Sequence, residues 1–308
     1  VQTTNHVKEG RFIMTLAELL QKYLGQTTSD DYEQNELNKI NKPTYVSLRV
    51  PKDVARHLTK EALSKADDAQ ELLDREGITA HYITAPAQVA DALKGLRGAG
   101  ATMGLDIETA KLAPYVEHKK AGLDPHLSSI RLVQCCANEN VYIFDVFAIG
   151  IGSLKFLWDI PMVAHNAVFE MKHLMHAGVD VQNLDCTMLM ANALNGNRPN
   201  LADLARDYLG WNISKEQQVS DWSAQTLSGD QLAYAALDAV AAARLYEILH
   251  RRLREKKRLP VYTLMRNAQK TIARLELNGT CFDTEGHKKL MGKWQKAKEA
   301  AGSELKQL

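Results

Sequence analysis

Met103-Gly104-Leu105-Asp106-Ile107-Glu108-Thr109 is the stretch on which the fold turns. Apolar Leu105 and Ile107 alternate with acidic Asp106 and Glu108, the period of a strand with one buried face. The spacing predicts a strand over 102–107 whose end carries two carboxylates on the same side. Side-by-side carboxylates repel each other unless a cation lies between them. Such a pair suits Mg²⁺, which prefers oxygen ligands. Taken alone, the same pattern also fits a solvated acidic strand edge.

Strands and helices alternate outward from this point. His81–Thr84 reads as a strand and Ala87–Leu96 as a helix, both ahead of the acidic strand. Ser129–Cys136 and Asn140–Val146 read as a strand pair across a short polar turn, and Met162–His165 as a further strand. Helices are expected at about 168–177, 186–195, 201–209 and 229–255. Strands early and helices late predict an α/β fold with a mixed sheet flanked by helices. Before residue 78, a helix at 15–24, a polar linker at 25–43, a strand at 45–50 and a helix at 53–76 ending at Gly77 carry no readable chemistry. After Leu259 the chain reads as helix again, interrupted at Asn278-Gly279.

Two further acidic positions fit the first pair. In Tyr234-Ala235-Ala236-Leu237-Asp238 a phenol and a carboxylate sit at i and i+4, on one face of a helix. Asp238 is embedded in alanines and valine, an unusual setting for a purely solvating acid. In His165-Asn166-Ala167-Val168-Phe169-Glu170 a strand ends, a helix begins, and Glu170 falls in its first turn. An acid there also complements the helix dipole with no other role. Glu170 and His173 form an E-x-x-H, but a di-iron bundle needs a paired motif on a facing helix and is not the expectation.

Taken together, these three stretches resemble the DEDD superfamily of 3′–5′ exonucleases in its tyrosine-bearing branch. That branch includes the proofreading domain of family A DNA polymerases, ribonuclease D and the Werner-type exonuclease. Leu105–Thr109, His165–Glu170 and Tyr234–Asp238 are similar to its three motifs, in the family's order. Leu127–Gln134 followed by Val141–Asp145 resembles the strand pair after the first motif, and Asp221-Trp222-Ser223 resembles the ribonuclease D and Werner-type versions. The resemblance covers about 80–250 and implies a ribonuclease H-like sheet with largely helical N- and C-terminal extensions.

The resemblance also implies two divalent cations, Mg²⁺ with Mn²⁺ able to substitute, about 3.5–4 Å apart on the scissile phosphate. Asp106 would bridge both, Glu108 and Asp238 would hold the one carrying the attacking water, and Glu170 would hold the other, through water. Tyr234 would orient the water. Thr109 and Asn166 are the implied grips on the terminal nucleotide, with Phe169 as a stacking wedge, although its apolar ring fits a core residue better. The family usually has aspartate where this chain has Glu170. The extra C–C bond, about 1.5 Å, requires either a retracted backbone or a reduced rate. The substrate implied is a single-stranded or frayed 3′ end of DNA, with RNA trimming and a non-catalytic nucleic-acid-binding domain as the alternatives.

The rest of the chain sets bounds. It has 308 residues, 45% hydrophobic and 24% charged, with 38 Lys+Arg against 37 Asp+Glu. A net charge of +1 argues against a domain that only grips phosphates and leaves a nuclease open. Four cysteines without zinc-type spacing suggest a reducing, cytoplasmic setting of bacterial, plasmid, phage or organellar kind, and no run spans a membrane. The basic run Arg251–Arg258 fits dipole pairing at a helix end or phosphate tracking. Arg274–Asp283 is similar to the segment that opens a family A polymerase domain, which would make a polymerase domain, in the same or another chain, the implied partner. The first residue is Val1, and Met291–Leu308 reads as helix still in progress, so a piece of a longer protein is expected. The organisation expected is 1–77 as an N-terminal region of unknown role, 78–255 as the exonuclease domain and 256–308 as a helical extension.

Overall fold

The computed structural model describes residues 67–99, 102–214, 217 and 220–306. The expected elements at 15–24, 25–43 and 45–50, and the start of the one at 53–76, lie outside the described residues. What is described of the last is α1 (Ala69–Arg75), capped by Asp68, whose side chain accepts from the Gln70 and Glu71 backbone N–H groups.

Six strands form one mixed sheet: β1 (Thr79–Ile83), β2 (Met103–Lys111), β3 (Ser128–Ala137), β4 (Asn140–Asp145), β5 (Met162–Ala164) and β6 (Leu184–Cys186). Their spatial order is β1-β4-β3-β2-β5-β6. The β2–β3 and β3–β4 pairs are antiparallel, and β1–β4, β2–β5 and β5–β6 are parallel. The expected α/β fold with a mixed sheet is therefore what the chain adopts. Two local readings are corrected. The acidic strand does not end near Ile107; it runs to Lys111 because β3 pairs with it as far as Ser128, through a register shift between Glu108 and Thr109. The short β6 escapes sequence reading because three residues carry too little periodicity.

The helices are α2 (Pro86–Gly98), α3 (Val146–Ile149), α4 (Val168–His176), α5 (Thr187–Asn195), α6 (Leu201–Leu209), α7 (Gly229–Glu255), α8 (Leu259–Asn278) and α9 (Thr284–Leu305). Met103, Leu105 and Ile107 of β2 enter one core with Val133, Cys135 and Phe144. The opposite sheet face, with Leu132, Cys136 and Ile143, packs under α7 through Ala236, Val240 and other small residues. Ser228 and Gln231 start α7 with a reciprocal capping box, which fixes where its register begins.

Small residues let α7 come very close to the sheet. A Cβ added to Gly104 would lie 2.0 Å from the Ala239 carbonyl oxygen, so glycine is required there by backbone contact. Farther along, Leu245, Leu249 and Leu253 of α7 join the first core together with Tyr262 and Ala273 of α8. Tyr262 hydrogen-bonds Asp185 and accepts from the Cys186 N–H (3.1 Å), Arg266 pairs with Asp185 (2.8 Å), and Gln269 donates to Leu184 O (2.5 Å). α8 is thus built onto the edge of the sheet at β6. No helix among the described residues is long and apolar enough to cross a membrane.

Candidate active site

Asp106 and Glu108 share the β2 face that Gly104 presents to α7, and the close contact at Gly104 brings Asp238, next to Ala239, alongside them. Carboxylate oxygens of Asp106, Glu108 and Asp238 all lie within 4.8 Å of one another. Tyr234, one helical turn before Asp238, donates its hydroxyl hydrogen bond to that carboxylate and is 7% exposed.

Glu170 enters from the first turn of α4. It is 2% exposed, and its Oε2 has no hydrogen-bond partner. It stands outside the tight trio but lines the same cleft, and its charge acts on both Asp106 and Glu108.

The electrostatics follow from this crowding. Burial, and then the charges of Asp238, Glu108 and Glu170, push Asp106 well above the usual carboxylate range, against one stabilising bond from the Ile107 N–H. Burial, Asp238 and Glu170 do the same to Glu108. Burial lifts Glu170 to about 8 and Asp238 to about 7. Burial and the nearby carboxylates also raise Tyr234, so its hydroxyl keeps its proton. Four acids whose charged forms are disfavoured by burial and mutual repulsion make a donor set suited to hard cations, whose charge would offset both. The donor set is all oxygen, and an unpartnered buried carboxylate oxygen belongs to it, so these residues fit divalent metal.

All eight residues singled out in the sequence line one cleft of about 690 Å³. Thr109 commits its hydroxyl proton to Gly122 O (2.7 Å) and so ties down the loop that follows β2. Asn166 is exposed in left-handed backbone (φ 66°), and its carbonyl accepts from Phe169 N–H, which turns the end of β5 into α4. Phe169 is half-buried against the core and tilts against His173, with ring centroids 4.4 Å apart. His173 bonds Phe169 O (2.9 Å) and, unlike Glu170, does not line the cleft.

Sequence reading missed other cleft residues. Lys111 ends β2 and donates to Val116 O (3.0 Å), and Lys119 and Leu123 come from the β2–β3 connection. Their only signal was a basic pair, Lys119-Lys120, shortly after the first acidic stretch. His165 also lines the cleft. Its Nδ1 lies 2.9 Å from Thr187 Oγ1, whose own proton goes to Ala164 O, and burial lowers its pKa to about 4. Trp222 lines the cleft too, with its indole N–H buried and unpartnered. The basic run 251–258 does not line the cleft.

The chain is 31% identical over 176 residues to a DNA polymerase I of Aquifex aeolicus, and 30% identical over 202 residues to a ribonuclease D of Xanthomonas oryzae. These matches cover 51% and 64% of the chain but only 31% and 52% of the relatives, so the chain spans about half or less of their length. The structure of Brucella melitensis NrnC with bound Mg²⁺ shares the fold, with a TM-score of 0.50 and 23% identity over 65% of this chain and 92% of that one. A family model described as 3′–5′ exonuclease matches residues 80–254, more than half of the chain, and the protein belongs to that 3′–5′ exonuclease family.

Proposed function

We propose that this chain hydrolyses the terminal phosphodiester bond at the 3′ end of single-stranded or frayed DNA, with two divalent cations, Mg²⁺ or Mn²⁺, held by its four acids. The observation that carries the reading is the trio Asp106, Glu108 and Asp238, with oxygens within 4.8 Å and Tyr234 bonded to its third member. When bound, the cations supply positive charge that acidifies water and offsets charge at the phosphate. Asp106 would bridge both, Glu108 and Asp238 would hold one, and Glu170, set back from the trio, the other.

Tyr234 keeps its proton and acts as a donor that orients, not as a base. Lys111 at the end of β2 and Lys119 of the β2–β3 connection wall the cleft, cations suited to the backbone of the incoming strand. Thr109, Asn166 and Phe169 would contact the terminal nucleotide. Residues 78–255 form the catalytic portion in this reading, in a cytoplasmic setting, with a polymerase domain as the natural neighbour. The polymerase relative supports DNA.

RNA is the second reading, favoured by the longer match to ribonuclease D. The test is single-turnover digestion of 3′-labelled DNA and RNA oligonucleotides of one sequence in Mg²⁺ and in Mn²⁺. Faster loss of DNA is expected, and Asp106→Ala should abolish it. Faster loss of RNA selects the second reading. Digestion of neither, or undiminished digestion by Asp106→Ala, refutes the site.

A further inference from the structure

Gln134 lies in the middle of β3 and is 0% exposed. Both its amide nitrogen and its amide oxygen lack any hydrogen-bond partner. A buried amide left unpaired is costly, and native interiors seldom keep one without a use.

The sheet register says what that use is. Gln134 is the Cα partner of Asp106 on one side and of Ile143 on the other. Directly opposed residues of an antiparallel pair share a face, with Cβ atoms about 4.5–5.5 Å apart. Along its own strand the neighbours on that face are Leu132 and Cys136, both apolar and packed beneath α7. In this ring of Leu132, Cys136, Ile143 and Asp106, only the Asp106 carboxylate is a strong acceptor. That carboxylate already takes the Ile107 N–H and has lone pairs to spare.

We propose that Gln134 is a positioning residue for the metal site: in the cation-loaded protein its side-chain amide, unpartnered here, donates to the Asp106 carboxylate and fixes the orientation in which Asp106 presents its oxygens. Ligating carboxylates are commonly held this way from behind, and loss of the holding group costs roughly 10–100-fold in metal affinity or activity. The proposal rests on the reading of Asp106 as a metal ligand.

The test substitutes Gln134→Met, which keeps the volume and removes the amide. Mn²⁺ binding is read directly by electron paramagnetic resonance, and metal-free stability by thermal unfolding. The expected result is an unchanged or raised melting temperature together with Mn²⁺ binding weakened roughly 10–100-fold. The effect should vanish in an Asp106→Asn background, because Gln134 acts only through Asp106. A merely structural residue would lower the melting temperature and leave the Mn²⁺ constant in the folded fraction alone.

A folded Gln134→Met protein with the wild-type Mn²⁺ constant overturns the proposal and leaves the metal reading of Asp106 standing. Wild-type protein that binds no Mn²⁺ overturns both. If the variant does not fold, a crystal structure of the Mn²⁺-loaded wild type decides. Gln134 Nε2 within hydrogen-bond distance of Asp106 supports the proposal, and an amide bonded elsewhere rejects it.

Discussion

Gly104→Ala tests whether the approach of α7 to β2 builds the site. The added Cβ would lie 2.0 Å from the Ala239 carbonyl oxygen and 3.0 Å from the Ala243 Cβ. Ordinary contact begins near 3.4 Å, so α7 and β2 must part by about 1.4 Å at this point. The obstruction is backbone and cannot rotate away. Asp106 lies two residues from the new methyl group on one side, and Asp238 is the neighbour of Ala239 on the other, so the separation falls directly on the trio. Misplacing a catalytic group by about 1 Å can cost on the order of 100-fold. Overpacking a core costs about 1–3 kcal/mol. For a body of this size that is a melting temperature lower by roughly 2–12 °C. The assay is single-turnover digestion of a 3′-labelled oligonucleotide beside a thermal melt. Gly98→Ala is the control, because a Cβ at that helix end meets nothing within 4 Å. It should keep the wild-type rate and melt no lower. A folded Gly104→Ala protein at the wild-type rate would refute the reasoning.

Glu170→Gln, which keeps the length and removes the charge, should be nearly inactive. Glu170→Asp should be slower, by up to about 100-fold for an arm about 1.5 Å shorter, with part recovered in Mn²⁺. Single-turnover rates in each metal decide, and an inert wild type beside an active Glu170→Asp would make the native protein a binding domain. A pH series in chelator tests the electrostatics. Glu170 at about 8 and Asp238 at about 7 lie above their ordinary values of 4.5 and 3.8, so the fold holds protons that the unfolded chain releases. Stability is therefore greatest below about pH 4 to 4.5 as far as these groups are concerned, and falls as pH rises toward 8. Each tenfold difference in proton affinity is worth about 1.4 kcal/mol. The melting temperature should drop between pH 5 and pH 8, saturating Mg²⁺ should restore it, and Asp106→Asn should flatten the slope; a flat wild-type profile would show that the acids are not crowded.

The parts of this protein legible in its sequence are those written in local periodicity. Asp106 and Glu108 alternate with Leu105 and Ile107, and Tyr234 and Asp238 stand one helical turn apart, so each pair declares its own face. The span of α7 could be read from end to end because Ser228 and Gln231 cap it and Ala-rich periodicity follows. What the sequence hid depends on partners far along the chain. β6 is three residues long and is made a strand by β5 and by Tyr262, Arg266 and Gln269 of α8. β2 outruns its expected end because β3 keeps pairing with it. Gly104 read only as a small residue in a motif; its necessity comes from Ala239, 135 positions away by subtraction of the residue numbers. Gln134 likewise stood inside an apolar strand with nothing local to mark its neighbour.

The same contact that builds the site also sets its chemistry. An ordinary helix with larger side chains would stand off the sheet, leave water between Asp238 and Asp106, and let both ionise freely. Here alanines at 235, 236 and 239 and the bare backbone of Gly104 let the helix sit close, so Asp238 and Asp106 stand side by side and partly buried. Burial and crowding raise the cost of each negative charge, so without cations Asp238 and Glu170 titrate near neutrality and Asp106 is pushed well above the usual carboxylate range. A divalent cation must then displace protons to bind, and its affinity will climb with pH across the range in which Asp238 and Glu170 titrate. Under the proposed two-cation reading, close packing therefore makes metal loading a proton-coupled step. The glycine that permits the packing belongs to the reaction as much as to the fold, although it carries no functional group.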